Sequence, residues 1–138
     1  MDGPSRHLSW KELACNDGTP YPQRFILDGR AFELAHVFEN IRSLCGDRPI
    51  KVLSAYRTPS WNRKVGGALR SQHVQGRALD LKPPKNLTII EFFNLIYANC
   101  KDFGINGIGL YKTFVHIDIR ISERLISWSS TLPKESIT

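Results

Sequence analysis

The segment Ser71-Gln72-His73-Val74-Gln75-Gly76-Arg77-Ala78-Leu79-Asp80 carries a histidine and an aspartate, and a second histidine follows in Thr113-Phe114-Val115-His116-Ile117-Asp118. Catalytic zinc sites keep three protein ligands of the histidine and carboxylate type and leave a fourth position for water. If His73, Asp80 and His116 converge, the set suits a zinc metallohydrolase. Spacing alone leaves the alternative that each is a solvated or hydrogen-bonded side chain.

Convergence depends on the elements that carry these residues. Side chains alternate across a strand, so Val115, Ile117, Ile119 and Ile121 share one face of the segment Phe114 to Ile121. Phe114, His116, Asp118 and Arg120 share the other. The aliphatic face is expected to pack on helices, and the polar face then either meets water or forms a site. Around Asp80 the alternation repeats, with Leu79 and Leu81 on one side and Ala78, Asp80 and Lys82 on the other. Both strands can therefore present ligands to one groove. His73 lies on the loop before Asp80, where Gly76 lets the backbone turn.

Elsewhere, Ser9 with Glu12 forms a capping-box pattern that opens a short helix. An amphipathic helix is predicted over roughly Arg30 to Leu44, stopped by Gly46, and a second over Leu87 to Cys100 with Thr88 or Asn86 near its cap. Ile50 to Ala55 and Arg77 to Lys82 read as strands, Trp61 to Val65 as a turn of helix. Gly109–Tyr111 and Phe114–Ile121 read as a hairpin through Lys112-Thr113. The elements lack regular βαβ alternation, which predicts an α+β domain with a small antiparallel sheet packed against helices.

The chain has 138 residues, enough for one domain, expected over 1–128 with a loose tail over 129–138. Its net charge of +6 suits an anionic partner or surface. The basic residues are scattered, which argues against nucleic acid. Cys15, Cys45 and Cys100 lie far apart without CxxC spacing, which argues against disulfides or a thiolate metal site, and Cys45 and Cys100 sit in helical apolar patterns that predict buried free thiols. No signal-peptide core or membrane-length apolar run is present, so the expectation is synthesis in a cytoplasm and no membrane partner. His7 and His36 read as structural or surface residues, and His7 falls in a stretch expected to be mobile. Trp10, Trp61 and Trp128 read first as packing anchors, with Trp61 and Trp128 able to border the groove. Tyr56 and Tyr111 are candidates to reach substrate or to bond at its rim.

Ser71-x-His73-x-x-Gly76-x-Ala78-x-Asp80 resembles the SxHxxGxAxD signature of peptidase family M15, the zinc D-Ala-D-Ala peptidases. Their wider group includes lysostaphin-type enzymes and the hedgehog signalling domain. Ser54-Ala55-Tyr56-Arg57-Thr58-Pro59, Asn62-Arg63-x-Val65-Gly66-Gly67-Ala68 and Phe114 to Arg120 resemble a subgroup common in phages and prophages, as does Leu13 to Pro20. The resemblance runs from about Leu8 to Arg120 and implies a hedgehog/DD-peptidase-like fold. It implies zinc on His73, Asp80 and His116, with Arg57 holding substrate and the developing oxyanion and Ser71 near a substrate carboxylate, Tyr56 beside them. A guanidinium fork suits both tasks of Arg57.

The implied activity is hydrolysis of peptide bonds in the stem peptides or cross-links of bacterial peptidoglycan, by a monomer acting at the cell wall as a phage lysin or virion component. The chain departs from the family at one place. Many members carry an acidic general base three residues before the last histidine, and Thr113 stands there. Asp118, on the face of His116, is the candidate replacement, or else it orients His116 or pairs with Arg120. Hedgehog-type relatives keep zinc without peptidase work, so a catalytically weak or inactive wall-binding module is the rival expectation.

Overall fold

The computed structural model describes residues 2–130. Five helices run in chain order as α1 (Trp10–Leu13), α2 (Gln23–Leu27), α3 (Arg30–Leu44), α4 (Pro59–Lys64) and α5 (Ile89–Phe103). The strands are β1 (Val52–Ser54), β2 (Ala78–Leu81), β3 (Gly107–Leu110), β4 (Val115–Asp118) and β5 (Ile126–Ser129), in the sheet order β1-β2-β4-β3-β5. The α+β class is as expected.

The sheet departs from expectation at its far edge. β1, β2, β4 and β3 pair antiparallel, and β3 and β4 form the expected hairpin, but β5 pairs parallel to β3 and makes the sheet mixed. Ser129 lies in β5, and the Ser130 amide donates to the Leu110 carbonyl. The remainder of the expected tail lies outside the described residues.

Local signals explain the helices that were legible. Ser9 and Glu12 close a reciprocal capping box on α1, and Thr88 with Glu91 closes another on α5. α5 runs on to Phe103, where Gly104 takes a left-handed turn and frees the chain to enter β3. α3 buries Leu34, Val37, Phe38 and Ile41, and α5 buries Phe92, Ile96 and Cys100. Leu79, Leu81, Ile108, Val115 and Ile117 join these side chains in one core. Burial of that apolar face is the main force holding the sheet to the helices. Ile121, expected on the same face, is 88% exposed because β4 ends at Asp118 and the chain turns away.

The N-terminal segment is docked rather than loose. Asp2 accepts from the Trp10 amide, and His7 bonds Glu39 of α3 through both its backbone amide and its Nδ1 at 2.7 Å. His36 is exposed. All three cysteines are buried and unpaired, and burial pushes the Cys100 thiol up to about 11. Among the described residues no helix is long and apolar enough to cross a membrane.

Candidate metal centre

Register decides the site. β2 and β4 pair so that Asp80 stands directly opposite His116, with their side chains on the same face of the sheet. His73 arrives from the turn before β2. That turn is held by Ser71, whose Oγ accepts from the His73 amide, and by Gly76 at φ +66°, a backbone conformation that glycine adopts without steric penalty. The Tyr21 hydroxyl donates to the Gly76 carbonyl at 2.7 Å and pins the turn to the core.

His73, Asp80 and His116 are all buried, and one ligand atom from each lies within 4.8 Å of the others. The chemistry of their outer partners assigns the ring tautomers. His73 Nδ1 faces the Ala55 carbonyl oxygen at 2.6 Å, which can only accept, so Nδ1 carries the proton. His116 Nε2 faces Asp118 Oδ2 at 2.7 Å, an ionised carboxylate, so Nε2 carries the proton there. His73 Nε2 and His116 Nδ1 then point lone pairs at Asp80 Oδ1, from 3.1 and 3.0 Å. Three electron-rich atoms at such distances repel unless a cation or a proton sits among them. The donor set and its outer partners fit a metal of the zinc type, whose histidine ligands typically give their second nitrogen to a carbonyl or carboxylate.

The protonation equilibria follow. Burial is the largest influence on His73 and lowers its pKa, keeping the ring neutral. Burial also pulls His116 down, but its hydrogen bonds to Asp118 and Asp80 outweigh this and raise it. The two carboxylates thus favour positive charge at His116. Asp80, despite burial, is held well below the usual carboxylate range by both histidines.

Asp118 does not reach the cleft. Burial alone would raise its pKa, yet the Arg120 guanidinium and His116 bring it down to about 2. It has no exposed surface, and its oxygens accept from His116 Nε2 and from Arg120 Nε and Nη2. Gly107 sits opposite it on β3 because the carboxylate occupies the space a Cβ would need. A base must lie within reach of the water it deprotonates, so of the two roles open to Asp118 this geometry suits orienting His116 and pairing with Arg120.

A cleft of about 750 Å³ opens over the three residues, with Arg57, Arg70, Ser71, Tyr111 and Trp128 on its walls. Arg57 is fixed by three acceptors: Ser54 Oγ for Nε, Asn62 Oδ1 for Nη1 and Asp80 Oδ2 for Nη2, at 3.1, 3.1 and 3.3 Å. Asn62 is the residue sequence reasoning missed as a participant. Its burial at 5% exposure, unusual for asparagine on a short helix, was not readable without the fold. The Tyr56 ring is buried against Tyr21 and Phe25, because the chain after β1 turns that side chain into the core. Trp61 likewise packs against the core, whereas Trp128 lines the cleft. Thr113 is exposed at the β3–β4 turn.

No curated protein matches the chain. The family model described as Peptidase M15 matches residues 6–118, a span that takes in the turn, both site strands and all three converging residues. The match covers most of the chain, and the chain belongs to the peptidase M15 family.

Proposed function

We propose that the protein is a zinc peptidase that hydrolyses peptide bonds in bacterial peptidoglycan stem peptides or cross-links, acting at the cell wall. The observation that carries this reading is the convergence of the His73 Nε2, Asp80 Oδ1 and His116 Nδ1 lone pairs beneath an open cleft. When bound there, zinc supplies a Lewis acid and a water nucleophile usable near neutral pH. Asp118 and the Ala55 carbonyl hold the two rings in the tautomers that leave these lone pairs free. Arg57 lies beside Asp80 with its fork pre-set by Ser54 and Asn62, where it can donate to a substrate carboxylate or a developing oxyanion. Ser71 lines the same cleft and supports the role near a substrate carboxylate. The net charge of +6 favours an anionic polymer such as the cell wall.

The second reading is a zinc-holding wall-binding module without turnover. One observation favours it: among the described residues lining the cleft, Asp80 is the only carboxylate, and it is already a ligand. Incubation of the zinc-loaded protein with purified peptidoglycan separates the two. Release of new amino groups, with fragment masses naming the bond, supports the peptidase. Binding without release supports the module.

A further inference from the structure

Trp128 differs from the other tryptophans in what surrounds it. Trp10 and Trp61 pack against the hydrophobic core, whereas Trp128 is outside that cluster and half-buried on the wall of the cleft. It also lies beyond residues 6–118, so the family match does not account for it. Its position depends on β5: the parallel pairing with β3 sets Trp128 opposite Gly109, and the missing side chain of Gly109 makes room for the indole against the sheet. Gly109 is in turn opposite His116 on β4, which puts the indole 5.2 Å from the His116 ring.

Two contacts, one of them backed by a stacked pair, fix the ring. Its Nε1 donates to the Tyr111 hydroxyl at 3.0 Å, Tyr111 stacks on Phe114 at 4.5 Å, and the Arg120 guanidinium lies 5.3 Å from the indole centre. A rigid aromatic surface loses little entropy when a ligand packs on it. The same cleft is lined by Arg57 and Arg70, which supply cationic donors. We infer that Trp128 is a substrate-binding wall, taking an apolar side chain of the peptide next to the scissile bond while Arg57 and Arg70 of the same cleft take its carboxylate. This inference rests on the peptidase reading, and it assigns to β5 a role in binding rather than in holding the metal.

The test uses the zinc-loaded protein, stem peptides released from purified peptidoglycan by an amidase, and the variants Trp128→Ala and Trp128→Phe. Initial rates of amino-group release are measured against peptide concentration, and zinc affinity by chelator competition. Trp128→Ala is expected to raise KM about tenfold, with kcat and zinc affinity within about twofold of the parent, and Trp128→Phe to recover most of the loss. If the alanine variant does not fold, Trp128→Leu is read in the same way. An unchanged KM overturns the inference. So does a fall in kcat together with loosened zinc, which would make Trp128 a brace for His116. If the parent releases no amino groups, the peptidase reading fails, and calorimetry with the same stem peptides still decides the wall: weaker binding to Trp128→Ala upholds it, and equal or absent binding overturns it.

Discussion

The two faces of β4 are both buried, by different means. Val115 and Ile117 are fully covered because helices pack on them, and nothing about their burial requires a partner of particular chemistry. His116 and Asp118 are buried at 7% and 0% exposure, and each of their polar atoms meets a specific group on β2, on Arg120 or on the same strand. Burying polar groups costs free energy unless they are paired. The apolar face therefore supplies stability, and the polar face consumes part of it to hold ligand atoms in one orientation. Strand alternation keeps the two roles separate, so a change on one face leaves the other's property largely intact.

That separation can be broken at either face. The largest effect on folding is expected from Ile117→Ala, which leaves a cavity under the helices and costs about 2–5 kcal/mol in denaturant unfolding. Zinc affinity of the folded variant should stay near that of the parent. A large loss of affinity would mean that the faces are coupled. Asp118→Asn tests the opposite face: the Nε2 proton of His116 loses its charged acceptor, and zinc affinity measured by chelator competition should fall about 10–100-fold. An unchanged affinity would remove the orienting role of Asp118.

The smallest effect is a pH dependence in the metal-free protein. Asp118 goes from the ordinary 3.8 to about 2 on folding, so its contribution to stability is present above about 4 and is lost as pH falls toward 2. Asp80 is depressed as well and shares the acid side of this window. Unfolding followed from pH 5 to 2 should therefore show a shallower loss for Asp118→Asn than for the parent. Identical slopes would mean that the Asp118 pairing with Arg120 and His116 does not survive in solution.

Much of this division was readable from periodicity. The alternation around His116 and Asp80 placed both on one groove, the Ser9–Glu12 capping box placed α1, and helical periodicity with Thr88 near the cap placed α5, because those signals are local in sequence. Gly76 marked the turn that delivers His73. Other features depend on contacts distant in sequence. β5 is four residues long at the sheet edge and gains its identity only by pairing with β3, so Ile126 to Ser129 gave no strand signal of their own. α2 spans five residues after a proline-rich loop and buries only Phe25, too little for a helical period to register. The Ala55 carbonyl that fixes the His73 tautomer is contributed by backbone, which no residue type announces. The burial of Tyr56 was unreadable for a related reason: beyond the end of β1, alternation no longer says which way a side chain points.

The central claim is that His73, Asp80 and His116 together hold one metal ion. Zinc content per folded chain, determined after dialysis for the parent and for His116→Ala, tests it most directly. The three-ligand centre predicts one tightly held zinc in the parent and none in the variant, with His116→Ala still folded because the apolar face of β4 is untouched. A folded His116→Ala that retains a full equivalent of zinc would contradict it.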